Sequence, residues 1–170
     1  MAEHEIESLK KSLNLQPHPE GGAFIELWKG DRNVKFLGDT KHDGARATGT
    51  SIHYLLVSPS FVSWHRHLSD EIFFWHAGGP LRINMIQKDG SLVSHTLGNV
   101  LLDPSCVYQV TVPHDTWYSA ELIDMKPYCL YSAVVMPGFE YQDWFPADRI
   151  KLTAEFPQHE EIISRLAKPT

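Results

Sequence analysis

Between residues 50 and 136 the chain alternates short apolar runs with residues that favour turns. The runs with the composition of strands are 50–57, 63–67, 71–77, 81–87, 92–97, 107–112, 116–122 and 127–136. The segment 88–91, Lys-Asp-Gly-Ser, predicts a tight hairpin, because Asp-Gly supports turns whose twist matches that of the flanking strands. Short strands at intervals of about ten residues predict an all-β sandwich or barrel of the jelly-roll type.

The remaining elements lie on either side of this strand-rich region. They are short amphipathic helices at 6–13 and 158–167, an extended segment at 23–28 and a long polar stretch at 29–49. We interpret the polar stretch as a flexible insertion rather than a functional lid. The pattern therefore predicts one domain over residues 1–170, with a barrel core at about 23–145.

Composition narrows the class of protein. The chain has 170 residues, enough to bury a core, and a formal net charge of −6 with a pI of about 5.9. With no basic patch in the sequence, we do not expect nucleic acid as the main partner. No apolar run approaches the roughly 18 residues of a membrane span, and no cleavable signal is visible, so we expect no membrane and a cytoplasmic location. Cys106 and Cys129 lie in apolar contexts and are interpreted as reduced packing thiols.

The most informative motif is formed by His65, His67 and Glu71. Side chains alternate faces along a strand, so both histidines point the same way, and a turn at 68–70 returns Glu71 towards them. Two imidazoles and one carboxylate leave coordination positions open for water or substrate, as in non-haem iron(II) and related sites. The alternative is that these are solvated surface residues. The apolar run 72–75 favours the metal site, since a buried carboxylate needs a partner cation or a raised pKa.

The strand period also predicts which side chains face the interior. If His65 and His67 face inward, Ser63 does too, whereas Trp64 and Arg66 face outward. On the next strand the predicted inward residues are Glu71, Phe73 and Trp75, and the predicted outward residues are Ile72, Phe74 and His76.

The spacing His65-x-His67-x-x-x-Glu71-x-x-x-x-x-x-Gly78 resembles the first sequence signature of the cupin superfamily. Further blocks at 15–22, 51–56, 69–72 and 137–144 resemble the small one-domain family sometimes called cupin-five. This resemblance implies an RmlC-like jelly-roll barrel (a double-stranded β-helix) with a pocket inside it, usually paired as a homodimer. Members of that family often have an aliphatic residue at the position of His67, so His67 is either a metal ligand or a neutral hydrogen-bonding residue of the pocket.

Tyr118 stands where the second cupin signature normally supplies a histidine. In that position its phenol would point at the metal region and act as an acid, a base or a hydrogen-bond donor. Trp117 alternates with Tyr118, so only one of the two can face inward, and Trp117 would form an aromatic wall. His53 and Tyr54 pose the same choice one strand earlier.

Other residues are candidates for binding a substrate. Glu26 lies on the N-terminal strand and would reach the pocket, or else is an exposed residue of an edge strand. Tyr141 lies among aromatic residues after the last long strand, where they would cap an opening or fill the core. Together with Phe73, Trp75 and Trp117, these residues form the predicted substrate-binding set.

Three functions compete at this point. The first is an enzyme that binds one divalent transition metal (Fe, Mn, Ni or Zn) and acts on a small oxygenated metabolite, sugar-like or ring-bearing. It would isomerise, epimerise or eliminate by proton transfer, with Tyr118, His53 and Glu71 as catalytic residues. The second is iron-dependent dioxygen chemistry. The third is a cupin that binds a metabolite without turnover.

Overall fold

The computed structural model describes residues 2–18, 22–37, 41–123 and 126–168. Its strands are β1 (Gln16–Pro17), β2 (Ala23–Lys29), β3 (Asn33–Val34), β4 (Arg46–Ala47), β5 (Thr50–Val57), β6 (Phe61–His67), β7 (Asp70–Gly78), β8 (Leu81–Ile86), β9 (Leu92–Leu97), β10 (Gln109–Val112), β11 (Trp117–Leu122), β12 (Tyr128–Met136) and β13 (Trp144–Pro146). Its helices are α1 (Ala2–Ser12), α2 (Arg149–Glu155) and α3 (Glu160–Arg165), with 3₁₀ turns at Tyr141–Asp143 and Pro157–His159.

The strands form two packed antiparallel sheets. The first sheet has the order β1-β2-β5-β12-β7-β10, the second has the order β13-β6-β11-β8-β9, and β3 pairs with β4 separately. Strand makes up 45% of the chain and helix 19%, so the predicted all-β jelly-roll architecture with short terminal helices is confirmed. The small β3–β4 sheet falls inside the stretch 29–49 that the sequence predicts to be flexible; residues 38–40 of that stretch lie outside the described residues.

The main core fills the space between the two sheets. Its buried side chains come from the inward faces of both sheets and include Leu56, Phe73, Ile83, Tyr118 and Tyr131. The period of two is visible in β10 and in the second half of β12, where buried residues alternate with less buried ones, whereas most of β8 and the first half of β12 are buried on both faces.

The helices cover the outer faces of the sheets. Ile6 of α1 packs on Leu55 and Leu130 of the first sheet, and Leu152 of α2 and Ile163 of α3 pack on the second. Helix α2 was not predicted, although its N-cap is readable in the sequence: the Asp148 carboxylate accepts hydrogen bonds from the backbone N–H groups of Ile150 and Lys151. None of the helices in the described ranges is long and apolar enough to cross a membrane.

A bulge in β6 corrects one prediction of facing. Tyr118 of β11 pairs with His65, but Ala120 pairs with Val62, so two residues of β11 span three of β6. The bulge places Val62 with His65 on the inward face. Ser63, predicted to face inward, instead donates from Oγ to the Leu166 carbonyl at 3.2 Å on the outer side.

Candidate metal centre and ligand cavity

A cavity of about 370 Å³ lies between the two sheets. Its walls are mainly aromatic and aliphatic, with polar atoms of His18, Thr50, Tyr54 and Tyr131 among them, and its buried ionisable groups gather at one end, where β6, β7 and β11 approach one another. The exposed side chains of Glu26 and Tyr141 and the half-buried rings of Phe139 and Trp144 form the outer end, which we call the mouth. The cavity thus has a polar inner end, a mainly apolar middle and an aromatic mouth, which is the usual composition of a small-molecule site. The mouth lies directly beside the inner end, since the ring centroid of Phe139 is 5.4 Å from that of His67 and the centroid of Trp144 is 5.9 Å from that of His65.

His65, His67 and Glu71 come together at the inner end. One donor atom from each lies within 4.8 Å of the others, and the three residues are only 6%, 7% and 7% exposed. The two histidines are on β6, and Glu71 returns on β7 after the connecting turn. The arrangement expected from the spacing of these residues is therefore the one observed.

Hydrogen bonds fix the orientation of these side chains. His65 Nδ1 lies 2.7 Å from the Ser63 carbonyl oxygen, and since a carbonyl can only accept, Nδ1 carries the proton. The lone pair of His65 is then on Nε2, which lies 2.5 Å from Tyr118 Oη. The same phenol donates to Glu71 Oε2, and His67 Nε2 lies 3.4 Å from that carboxylate oxygen. A histidine whose other nitrogen donates to a carbonyl is the usual arrangement of a metal-ligating imidazole.

The electrostatics of the inner end favour a bound cation. Burial raises the pKa of Glu71 to about 7, against the opposing hydrogen bond from Tyr118. Burial, followed by the charge of His65, lowers the pKa of His67 well below its usual value. Among the described residues that line the cavity none is Lys or Arg. A divalent cation would stabilise the ionised carboxylate and accept both neutral imidazoles, so the donor set fits a transition metal such as Fe, Mn, Ni or Zn.

The turn between His67 and Glu71 is held from outside the cavity. The His67 carbonyl accepts from the Asp115 N–H at 2.7 Å, and the Leu68 N–H donates to the Asp143 carbonyl at 3.1 Å. Ser69 Oγ lies 3.2 Å from His42 Nε2. Three separate segments therefore determine where this turn places the donor atoms of the histidine and the carboxylate.

One of those segments is fixed by a buried ion pair between Arg46 of β4 and Asp143. The guanidinium donates through Nε at 2.5 Å and through Nη2 at 2.7 Å, and the two side chains are 2% and 5% exposed. The Asp143 hydrogen bond raises the pKa of Arg46. A bidentate pair of this kind holds both groups in one geometry. Sequence reasoning missed the pair, because its members are 97 residues apart and neither belongs to a motif.

Most of the predicted site residues line the cavity. His65, His67, Glu71 and Tyr118 form the inner end, Phe73 lies on the wall, and Glu26 and Tyr141 lie at the mouth. The choice between Tyr118 and Trp117 is thereby resolved by the structure, with the tyrosine facing inward.

Trp117, His53 and Trp75 do not line the cavity, which corrects their predicted roles. Trp117 faces the C-terminal helices. The Arg66 guanidinium lies over its indole, with the guanidinium carbon 4.7 Å from the ring centroid. His53 faces outward and lies 3.0 Å from Ser132 Oγ, because its neighbour Tyr54 takes the inward position. Trp75 shares the register of Glu71 and Phe73 against β12 and packs on the main core, as expected for an inward residue. It lies beyond the lining of the cavity, however, and its indole donates to the Gly79 carbonyl at 3.3 Å.

Five Phe, Tyr or Trp residues that line the cavity were absent from the predicted set: Phe24, Tyr54, Tyr131, Phe139 and Trp144. Tyr131 shares the inward face of β12 with Ala133 and Val135, so the strand period could have identified it. Phe139 lies in irregular chain after β12, and Trp144 begins the three-residue strand β13, which is too short for a periodicity to indicate direction.

Comparisons with known proteins agree with this architecture. The model of a protein family, Cupin_5, described as cupin superfamily (DUF985), matches residues 7–145. A hypothetical protein from Leishmania major is 29% identical with a TM-score of 0.86, and the match covers 96% of this chain and 98% of that one. Protein SO0799 from Shewanella oneidensis is 28% identical with a TM-score of 0.82, with the same coverage of 96% and 98%.

A more distant similarity shows the fold alone. The oxalate decarboxylase of Lactobacillus farciminis, solved as a formate complex, is 14% identical with a TM-score of 0.56, and the match covers 92% of this chain and 42% of that one. No curated protein matches the chain. The cupin fold implied by the resemblance of the His65–Gly78 motif to the first cupin signature is confirmed.

Proposed function

Because this chain belongs to the Cupin_5 (DUF985) family of the cupin superfamily, we propose that its barrel is the active site of a metal-dependent enzyme. The enzyme binds one divalent transition metal and acts on a small oxygenated metabolite by proton transfer. Isomerisation, epimerisation and elimination share this chemistry.

The observation that carries the proposal is the buried triad of His65, His67 and Glu71 at the inner end of a cavity large enough for a small metabolite. Three protein ligands leave coordination positions free, which is typical of catalytic rather than structural metal sites. When bound there, a divalent cation polarises a substrate oxygen as a Lewis acid and stabilises the negative charge that develops on proton removal.

Tyr118 is the residue placed to hold or move the proton. Its phenol contacts both His65 Nε2 and Glu71 Oε2, so a proton can be shared among three groups at the inner end. Burial raises the pKa of Tyr118 well above its usual value, which keeps the phenol protonated as a donor. His53 has no part in this step, because it lies on the outer face of the first sheet.

The proposal is tested first by metal content. Protein purified without chelator is expected to hold about one equivalent of Fe, Mn, Ni or Zn, measured by inductively coupled plasma mass spectrometry. Glu71→Gln is expected to lose that metal, and Ser132→Ala on the outer face is the matched control that retains it.

Proton transfer is tested without knowledge of the natural substrate. Hydroxy and keto compounds are incubated with metal-loaded protein in D₂O, and exchange of the carbon-bound proton next to the oxygenated carbon is followed by NMR. We expect exchange in wild type and its loss in Tyr118→Phe with the metal retained. Exchange that requires dioxygen would support iron-dependent dioxygen chemistry instead, and ligand binding without exchange would support a non-catalytic binding protein.

The similarity to the cupin family also leads us to propose a homodimer and a small-molecule ligand as the partners of this chain. Sedimentation equilibrium at micromolar protein concentration tests the first, and a monomer throughout would contradict it.

A further inference from the structure

Tyr131 is a buried phenol of the cavity that has no part in the metal site or in the proposed proton transfer. It is 2% exposed and lines the cavity, yet its hydroxyl makes no hydrogen bond with any residue in the described ranges. Its ring stacks on Tyr54 at 5.3 Å between centroids and contacts Phe73 at 5.5 Å. Because this hydroxyl faces the cavity, it is available to donate a hydrogen bond to a bound ligand.

Tyr131 lies within reach of the inner end. Phe73 contacts both Tyr131 and Tyr118, with ring centroids 5.5 Å and 5.8 Å away, so the two tyrosines flank one side chain of the cavity wall. Burial and the negative charges around it, including that of Glu71, raise the pKa of Tyr131 well above its usual value. The phenol is therefore a neutral hydrogen-bond donor. Tyr118 is assigned to the proton-transfer step, and Tyr131 is the second phenol of the cavity that can donate to a substrate oxygen.

The charges of the cavity restrict the ligand further. A divalent cation with the ionised Glu71 and two neutral imidazoles has a net charge of +1, and no Lys or Arg is among the described residues that line the cavity. Net charge in an apolar enclosure is unfavourable, so the best ligand contributes one negative charge at the inner end. Glu26 does not change this count at the inner end, because it is exposed to water at the mouth.

The middle and mouth of the cavity suit an apolar ring. Phe24, Phe73, Ile52 and Val62 line the middle, and Phe139 and Trp144 contact His67 and His65 where the mouth meets the inner end. The polar side chains of this wall are engaged with protein groups: Thr50 Oγ1 accepts from the Phe139 N–H at 3.0 Å, and Tyr54 Oη lies 3.4 Å from His18 Nδ1. Few partners are therefore left for the hydroxyl groups of a sugar, each of which would lose its hydrogen bonds to water. An aromatic or alicyclic ring gains from the same burial.

Resting on the metal site proposed above, we propose that the substrate is a ring-bearing monoanion, such as a hydroxy or keto acid, whose anionic oxygens bind the metal and accept a hydrogen bond from Tyr131. Tyr131 is thus a substrate-binding residue of the inner end, and the ring of the substrate lies against the aromatic wall.

The test uses mandelate as the probe and isothermal titration calorimetry as the measurement. Wild-type protein is first loaded with Mn(II) and the stoichiometry is recorded. Mandelate is then compared with 1-phenylethane-1,2-diol, which lacks the charge, with lactate, which lacks the ring, and with galactose. Mandelate is expected to bind most tightly. In Tyr131→Phe its Kd is expected to rise about tenfold or more, because a hydrogen bond to a charged group is lost.

Tyr128→Phe is the matched control, since Tyr128 lies on the same strand and its hydroxyl donates to Glu5 at 2.6 Å on the outer face. It is expected to leave both Mn(II) stoichiometry and the Kd of mandelate unchanged. Equal mandelate affinity in wild type and Tyr131→Phe, both loaded with Mn(II), would overturn this inference alone, as would tighter binding of the diol or of galactose. Failure of wild type to bind Mn(II), Fe(II), Ni(II) or Zn(II) would overturn the proposed metal enzyme itself.

Discussion

Strand β7 carries one residue of each of two histidine clusters, and the clusters lie on opposite faces of the first sheet. Inside, Glu71 joins His65 and His67 at the end of the cavity. Outside, His76 Nε2 lies 2.6 Å from Ser132 Oγ, and His53 Nδ1 lies 3.0 Å from the same oxygen. The two clusters contain the same number of imidazoles, but only the inner one includes a carboxylate.

Burial and an anionic partner, rather than the presence of histidines, therefore distinguish the candidate metal site from the outer cluster. The inner residues are at most 7% exposed and face a cavity, whereas His53 is half-buried and His76 is exposed. In the part of the chain that the structure describes, no carboxylate is hydrogen-bonded to the outer pair. A serine hydroxyl satisfies two neutral imidazoles, but it brings no negative charge to hold a divalent cation.

The largest loss of stability, together with a loss of metal affinity at the inner cluster, is expected from Arg46→Met. This change leaves the Asp143 carboxylate buried without its partner, which costs about 3–5 kcal/mol of unfolding free energy. Because the Asp143 carbonyl holds the Leu68 N–H in the turn between His67 and Glu71, the inner site should also lose Mn(II) affinity. Urea unfolding followed by circular dichroism measures the first effect, and Mn(II) electron paramagnetic resonance measures the second. Asp148→Asn, which alters an exposed helix cap, is the control, and equal stability of both variants would contradict the role given to the ion pair.

The next effect is expected from His67→Ala, which removes one ligand. Replacing residues that only orient ligands typically costs 10–100-fold in affinity, so loss of a ligand should weaken Mn(II) binding by about 100-fold or more. His53→Ala removes a histidine of the outer cluster and should leave Mn(II) affinity unchanged. Titration calorimetry with both variants checks this, with thermal unfolding as the measure of intact folding. A similar loss in the two variants would show that the clusters are not distinct in function.

The two clusters also show how far sequence can predict this molecule. The period of two placed Glu71 and Phe73 inward and His76 outward, and the tight spacing of His65, His67 and Glu71 needs only one turn to close. Those features are local, so the sequence contains the information that determines them. The strand bounds agree closely for the same reason; β5, for example, spans Thr50–Val57 as predicted for 50–57.

Features that depend on pairing between distant strands were not predictable. The bulge that turns Ser63 outward exists only in the register of β6 with β11, and the register shift of β7 against β12 falls between Trp75 and Ala77. The ion pair of Arg46 with Asp143 joins two segments that only the folded chain brings together. The parity of Trp117 and His53 was an open choice, because both neighbouring residues in each case are large enough to fill either face.

A carboxylate added to the outer cluster tests the same distinction through a gain of metal binding. Ser132→Asp adds a carboxylate between His53 and His76, so the outer cluster acquires the same donor types as the inner one. In a His67→Ala background, this change is expected to tighten Zn(II) binding about tenfold or more, because a unit charge at about 4 Å contributes on the order of 1–4 kcal/mol. Ser132→Asn, of similar size without the charge, is the control. If both variants bind Zn(II) equally, the carboxylate is not the feature that separates the two clusters.

The smallest effect concerns the contribution of the outer cluster to the pH dependence of the free energy of unfolding. Burial lowers the pKa of His53, and burial together with the charge of His53 lowers that of His76. Near pH 6 the unfolded chain, whose histidines titrate at about 6.5, therefore binds more protons than the folded protein. It follows that these two residues make the free energy of unfolding fall as pH decreases below about 6.5.

The double change His53→Gln, His76→Gln should make that fall shallower. Its free energy of unfolding should differ from that of wild type by no more than about 0.5 kcal/mol at pH 7.5, where His53 and His76 are neutral. Urea unfolding at pH 7.5, 6.5 and 5.5 measures the slope, and His95→Gln, on β9 of the other sheet, controls for the loss of a histidine elsewhere. A steeper fall in the double variant than in wild type would mean that the outer imidazoles are stabilised by protonation, and the outer cluster would then be a site of positive charge rather than a neutral pair.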